Sequence, residues 1–482
     1  MKRLNEILQG IDIAEAVNFK DTVVKDMTLD SRKVKPGCLF FAVKGTANDG
    51  HKYIGSAVEN GAGVIVCETL PDKVEENVVY IKVADIRTVI AKMAGNFFDH
   101  PDRKLKLTGV TGTNGKTTIA TWLYETTMDM GFKAGLISTV VNKIGPESTK
   151  ATLTTPDAIE LRRLIKKMTD AGCEYVFMEV SSHASDQDRI CCLDFDGGIF
   201  TNITLDHLDY HKTFKNYINA KKKFFDNLKP EAFALTNIDD KNGKVMVQNC
   251  KARICTYGLK KMADFKGKVI DNSIHGLLME INNKEVFFKL SGIFNAYNLC
   301  AVYGAAVCLG FDEDNVLLAM SKLEPVEGRF NVVSNKENDI FAIIDFAHTP
   351  DALENILKTA TKIKKGKLIV VFGAGGNRDK SKRPEMGKIA VRYADTVIIT
   401  SDNPRYEEPE DIIEEIYAGI EGERKDKVVK ITDRRQAIKT ALMLAQRNDL
   451  IVIAGKGHEN YQDIKGKKIP FSDKETVMEF WN

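Results

Sequence analysis

The sequence predicts an α/β protein of three domains: a small N-terminal α/β domain, a central domain with a phosphate-binding loop and a parallel sheet, and a C-terminal doubly wound, Rossmann-like domain. Three observations carry this. A length of 482 residues exceeds one ordinary domain and suits about three. The stretch Leu105–Thr118 reads as an apolar strand, a turn with glycines at 109, 112 and 115, and a helix opened by Lys116-Thr117-Thr118. Residues 332–482 repeat one pattern four times, an apolar run ending in a polar cluster with a helical pattern between. The boundaries expected are 1–104, 105–331 and 332–482.

Charge excludes some partners. Lysine and arginine number 69 against 67 aspartates and glutamates, so the formal charge is +2 and no bulk field favours nucleic acid or a membrane surface. No apolar stretch has signal-peptide or transmembrane character, and the nine cysteines show neither C-x-x-C pairs nor metal-ligand spacing. Most sit in apolar segments and read as small core residues of a cytoplasmic protein.

The N-terminal domain alternates strand-like runs (38–43, 63–67, 78–83) with helical stretches (54–60, 86–98). Its polar clusters, 28–32 and 44–51, follow extended segments where loops present ligand-binding groups. His100-Pro101-Asp102 reads as the linker onward.

In the central domain, converging backbone N–H groups of Gly112, Thr113, Asn114 and Gly115 and a helix N-terminus suit a nucleotide's phosphates. Lys116 would neutralise the β- and γ-phosphates, the Thr117 hydroxyl would reach Mg²⁺, and Thr118 completes the motif. The loop holds one residue more than the standard spacing, because Gly109 stands one place early. A helix expected from Pro156 carries apolar residues 161, 164, 165 and 168 on one face. Tyr175–Glu179 reads as a buried strand, and a carboxylate at its end is costly unless paired or on the magnesium side. Asp206, His207, Asp209 and His211 make a second cation or phosphate site plausible. On the helix 214–228, one of Lys221, Lys222 and Lys223 could turn inward, and the residues alone leave open which. The C-terminal clusters 345–350, 373–378, 402–405 and 455–458 would all lie at the carboxyl edge of a parallel sheet, where such folds bind ligands.

With these residues assembled, the whole chain resembles the Mur ligase family. The resemblance rests on Thr28–Arg32, Gly109–Thr118, Glu179–His183 with Gln187 and Arg189, Thr201–His211, Asn295–Asn298, Gly328–Phe330, Asp345–Pro350, Gly373–Pro384, Asp402–Arg405 and Gly455–Glu459. The longer phosphate loop is that family's own variant. The resemblance implies an ATP-dependent ligase that adds meso-diaminopimelate to UDP-N-acetylmuramoyl-L-alanyl-D-glutamate through an acyl phosphate, working as a cytoplasmic monomer in peptidoglycan precursor synthesis. It implies Lys116, Glu179, His207 and Lys221 as the catalytic set. His207 and Lys221 would hold a second Mg²⁺, with Lys221 carbamylated because an ammonium cannot ligate a metal. Asn298 and Arg329 would contact the nucleotide. Leu29, Ser31 and the loop Thr46, Ala47, Asn48 would hold the UDP end, making the N-terminal domain UDP-binding. Thr154, Thr155, Ser181, Gln187 and Arg189 would line the muramoyl peptide path. Leu153 stands where many members have Asn. Arg378, Asp402, Asn403, Pro404, Arg405, Gly455 and Glu459 would take the diamino acid, with the planar Arg405 fork reading the far carboxylate that lysine lacks. The alternatives are a lysine-adding relative, a folylpolyglutamate synthetase-like ligase, or, from another class, a nucleotide-switch ATPase.

Overall fold

The computed structural model describes residues 1–45, 48–335 and 337–481. Three sheets organise the chain. In the first, strands run in the spatial order Glu15–Val17, Val79–Lys82, Ala62–Cys67, Cys38–Ala42, Asp26–Thr28. The first pairing is antiparallel and the rest are parallel. Cys38–Ala42 is buried throughout, which is why it reads as an unbroken apolar run. The helix Ile86–Phe97 covers one face, capped by Asp85, whose carboxylate accepts from the amides of Arg87 and Thr88. The expected linker is not exposed. Pro101–Lys104 forms a 3₁₀ turn, and Asp102 is buried with its Oδ2 accepting from the Asp194 amide at 2.9 Å.

The central sheet has eleven strands. Its middle is parallel, as the sequence predicts: Ala134–Ile137, Tyr175–Glu179, Lys106–Thr111, Gly197–Phe200, Phe233–Asn237, Arg253–Gly258 and Phe265–Ser273 lie side by side. Antiparallel strands extend both ends. Val141–Ile144 and Glu147–Lys150 turn back at one edge, Gly276–Ile281 and Lys284–Phe288 at the other. The second turn has its reason in Asn282-Asn283, both left-handed (φ +47° and +65°), the backbone a two-residue hairpin demands. The helix expected from Pro156 starts instead at Ala158, because Asp157 caps it through the amides of Ile159 and Glu160. Leu161, Ile165 and Met168 are buried on its inner face and Leu164 is partly buried.

The C-terminal sheet runs Asn331–Asn335, Ile340–Asp345, Leu450–Ala454, Leu368–Phe372, Thr396–Ile399, Val428–Lys430, parallel except for the first pairing. Register pairs Asp345 with Ala454, Ala454 with Phe372 and Phe372 with Ile399. All four polar clusters therefore leave the sheet at one edge. A hairpin, Tyr461–Ile464 with Lys467–Pro470, adds to that edge. Among the described residues no helix is long and apolar enough to cross a membrane.

Candidate active site

The phosphate loop joins the strand Lys106–Thr111 to the helix Lys116–Asp129. Two glycines are obligatory. A Cβ at Gly112 would lie 1.8 Å from Thr201 Oγ1, and Gly115 sits at φ +86° with Asn298 Oδ1 2.7 Å from where its Cβ would be. The next strand's end clamps the loop. The Thr113 amide donates to Asn202 O at 2.8 Å, the Asn114 amide to Asn202 Oδ1 at 3.0 Å, and Thr201 Oγ1 to Asn114 O at 2.6 Å.

Glu179 is 1 % exposed at the end of its strand, directly beside Val110 in register. Its Oε1 accepts from Thr117 Oγ1 at 2.9 Å and from the Thr139 amide at 2.7 Å. A hydroxyl and one carboxylate oxygen are hard donors of the kind Mg²⁺ takes together with phosphate oxygens. Among the described residues no three His, Cys, Asp or Glu side chains converge as a self-sufficient metal cage.

Two lysine side-chain nitrogens share one acceptor. Lys116 Nζ donates to Gly112 O at 2.9 Å and Thr113 O at 2.8 Å, and Lys221 Nζ donates to the same Gly112 O at 2.8 Å. Of the three consecutive lysines, Lys221 is the one turned inward, 2 % exposed and over the Tyr217 ring at 4.8 Å. Lys222 pairs instead with Asp226 and Lys223 with Asp188, both partly buried. Burial, and then the charge of Lys116, push the Lys221 amine well below the ordinary lysine range against the pull of Asp206. Burial pushes Lys116 the same way, opposed by Glu179 and Asp206.

His207 adopts a left-handed backbone (φ +54°) that starts the turn Leu208–His211. Its ring lies 5.0 Å from that of His183 and 3.5 Å from Asp206. Burial holds it below the usual imidazole range.

Five expected residues form one cluster beside Glu179. Thr155 Oγ1 donates to Glu179 O at 2.8 Å and accepts from the Ser181 amide. Arg189 Nη1 donates to Thr155 O at 3.0 Å, and its Nη2 donates to Gln187 Oε1. Thr154 Oγ1 accepts from Thr139 Oγ1 at 3.1 Å. Leu153 is exposed. The N-terminal candidates stand apart. Ser31 opens a 3₁₀ turn and Leu29 packs on that domain's core, while Asn48 closes its loop by accepting from the Gly45 amide at 2.8 Å. Among the described residues none of the three hydrogen-bonds to the central cluster; Thr46 and Ala47 lie outside the described residues.

Arg329 stands in the seam between the central and C-terminal domains. Its Nη2 is 3.5 Å from Thr117 Oγ1, its guanidinium lies 4.6 Å over the Phe346 ring, and its Nε is buried without a partner among the described residues. Asn298 is buried beside the loop and donates to Asn295 Oδ1 at 3.2 Å. Sequence reasoning missed Asp351, whose Oδ2 accepts from Asn114 Nδ2 at 2.9 Å and from Thr204 Oγ1 at 3.0 Å. No local pattern marks it.

The amino-acid cluster is tightly wired. Asn403 Nδ2 donates to Glu459 Oε2 at 2.7 Å, and Lys456 Nζ, fully buried, donates to Asn403 Oδ1 and Glu459 Oε2 at 3.1 Å each. Lys456 was also missed, although its place between two glycines marks a tight approach. Gly455 is left-handed (φ +119°), and a Cβ there would meet Asp402 Oδ2 at 2.5 Å. Arg405, after Pro404, has φ +54°; its Nη1 donates to Gly376 O at 2.7 Å and its Nε lies 4.0 Å from Asp463. Arg378 is exposed and engaged by no hydrogen bond or ion pair among the described residues.

Against known proteins, the chain matches the Mur ligase family catalytic domain over 23–98, the Mur ligase middle domain over 110–306 and the Mur ligase glutamate ligase domain over 328–457. It is 54 % identical over 481 residues to the UDP-N-acetylmuramoyl-L-alanyl-D-glutamate–2,6-diaminopimelate ligase of Phocaeicola vulgatus, covering 99 % of each chain. Its identity to the enzyme of that name from Bacteroides fragilis is also 54 %, over 482 residues, 100 % of this chain and 99 % of the relative. A solved structure bearing that name is 32 % identical with a TM-score of 0.70, covering 100 % of this chain and 98 % of the other.

Proposed function

The chain belongs to the Mur ligase family of ATP-dependent ligases, and on that premise we propose that it joins meso-diaminopimelate to UDP-N-acetylmuramoyl-L-alanyl-D-glutamate. The observation that carries the reading is the convergence of Lys116 and Lys221 on one carbonyl beside the Thr117–Glu179 pair. Moving the γ-phosphoryl of ATP onto the D-glutamyl side-chain carboxylate brings two anions together, so the step needs positive charge, which Lys116 and the metal ions held beside it, one of them through Lys221, would supply. The acyl phosphate then takes an amine of the diamino acid, and inorganic phosphate leaves from the tetrahedral adduct.

In this reading the phosphate-loop amides and Lys116 hold the triphosphate, with Asn298 and Arg329 on the nucleotide. Thr117 and Glu179 would hold Mg²⁺, which supplies charge neutralisation on the phosphates. His207 and Lys221 would hold a second ion. Lys221 suits that role only as a carbamate: its amine, pushed well below the ordinary lysine range by burial, would add to carbon dioxide and release a proton, leaving a carboxylate-like group. Its lack of any carboxylate partner among the described residues supports this. Thr154, Thr155, Ser181, Gln187 and Arg189 would steer the muramoyl peptide, while Leu29, Ser31 and the 46–48 loop hold the uridine end. Arg405 and Arg378 would meet the far carboxylate, with Asp402, Asn403, Gly455 and Glu459 around the amino-acid end. The domain limits we adopt are 1–104, 105–331 and 332–482, and the working unit is a cytoplasmic monomer, where ATP is at hand. Amide formation measured against meso-diaminopimelate, L-lysine and L-ornithine tests the assignment. Comparable kcat/KM for lysine would refute it.

A further inference from the structure

Cys191 and Cys192 lie outside the machinery described above, at the junction of the N-terminal and central domains. Their Sγ atoms are 3.0 Å apart. Cys192 is exposed and left-handed (φ +59°), in a turn that brings the two side chains together. Cys191 packs against the N-terminal core. Behind the pair stands Arg162, 0 % exposed. Its Nη2 donates to Cys191 O at 2.8 Å, while its Nε and Nη1 are buried without partners among the described residues. The Cys191 thiol, followed by the positive charges of Arg162 and Lys92, favours the Cys192 thiolate against burial and the charge of Asp188. A partly exposed thiol in an electropositive setting is the reactive kind.

From this geometry we infer that Cys191 and Cys192 form an oxidisable dithiol, a modification site that a peroxide closes to a disulfide and that loosens the adjoining Gln187–Arg189 arm. The Cys192 thiolate attacks one peroxide oxygen, giving a sulfenic acid as the other oxygen leaves and is protonated to water. The Cys191 thiol then attacks that sulfur and expels a second water. Two thiols are oxidised by two electrons while one peroxide is reduced. Successive Cα atoms lie about 3.8 Å apart across a trans peptide, below the usual span of about 4.4–6.8 Å for a disulfide. The bond is therefore strained and easily reduced, as reversible regulatory disulfides are. Closing the ring must turn the Cys191 peptide. Its carbonyl is held by Arg162, the preceding peptide is held by the Cys191 amide's bond to Asp188 O at 3.1 Å, and Cys191 lies two residues from the Arg189 that grips Thr155.

The kinetic consequence rests on the proposed role of Gln187 and Arg189; the chemistry does not. The test treats the whole protein with hydrogen peroxide and maps the thiols by alkylation and peptide mass. The expected result is loss of two hydrogens from the Cys191–Cys192 peptide, a severalfold rise in KM for the UDP-muramoyl dipeptide with the KM for ATP unchanged, and reversal by dithiothreitol. Cys192→Ser should keep basal activity and lose the sensitivity. Stoichiometric phenylarsine oxide, which bridges paired thiols without oxidant, should block alkylation of both. Overturning results are two alkylatable thiols after peroxide, sulfinic acid at Cys192 without a disulfide, or inhibition traced to Cys255 and Cys308, whose sulfurs lie 3.5 Å apart. A disulfide that leaves the dipeptide KM unmoved would refute the coupling. Absence of ligase activity in the untreated protein would instead strike the proposed function.

Discussion

Asn114 Nδ2 donates to Asp351 Oδ2 at 2.9 Å across 237 residues of sequence, so the tip of the phosphate loop is fastened to the first turn of a C-terminal-domain helix. Thr204 Oγ1 reaches the same oxygen. Asp351→Ala removes both bonds while the loop keeps its own backbone clamp. Hydrogen bonds to a charged group are worth about 1.5–3 kcal/mol each, and part returns as hydration. The expected outcome is a fall in kcat/KM for ATP of about 10–100-fold with an unchanged melting temperature. Steady-state kinetics and calorimetry check it.

Lys221→Ala should abolish ligation, with no recovery on adding bicarbonate, since the nitrogen that would carry the carbamate is gone. Lys222→Ala, which removes a partly buried i,i+4 pair with Asp226, should cost about 1 kcal/mol of stability and little activity. Equal loss in both variants would sink the assignment. Phosphate release measured on the two proteins side by side decides it.

Arg405→Lys keeps a positive charge but loses the planar fork. The kcat/KM for meso-diaminopimelate should drop about 100-fold, equivalent to about 2.7 kcal/mol, while that for L-lysine barely changes. A parallel drop for both amino acids would mean that Arg405 only holds its loop, through Gly376 O.

Arg434 and Asp473 form a two-pronged ion pair with both side chains at 0 % exposure, bonded at 2.8 Å on each prong. Asp473→Ala leaves a buried guanidinium without its counter-ion and should destabilise the C-terminal domain by about 3–5 kcal/mol. Replacing both residues with apolar ones should cost much less. Urea unfolding of the single and double variants measures the difference.

The Arg383 guanidinium, doubly bonded to Glu407 and also bonded to Glu415, holds the Glu407 carboxyl at about 2. Its folded value lies below its unfolded one. The stability it contributes is therefore complete above the ordinary glutamate range and disappears as pH falls from about 4.5 towards about 2. Glu407→Gln should lower stability at neutral pH and flatten its dependence over that acid window, read as melting temperature against pH.

What was legible in the sequence was mostly local. The phosphate loop could be read because Gly112 and Gly115 occupy backbone positions that exclude side chains, and such geometry writes itself into residue type. The inward lysine was legible in principle as well. Tyr217, Ala220, Lys221, Phe224 and Phe225 share one helical face, so the apolar period singles out Lys221 from its neighbours. Asp351 was not legible: a first-turn aspartate is commonplace, and its value here comes from a partner in another domain. The antiparallel extensions of the central sheet had one clear local sign, Asn282-Asn283. The edge hairpin Val141–Ile144 with Glu147–Lys150 is only partly buried or exposed, and it lacks the apolar contrast that marks a strand. The two glycines beside Lys456 mark a tight approach, but nothing local says that Asn403 and Glu459, one of them from a distant loop, close around its amine.

Arg329 touches Thr117 on one side and stacks on Phe346 on the other, so one cationic side chain is a spacer shared by two bodies. A flat molecule that slid between the guanidinium and the phenyl ring would need to imitate no substrate. It would inhibit by wedging, and raising the concentration of any single reactant would not fully displace it.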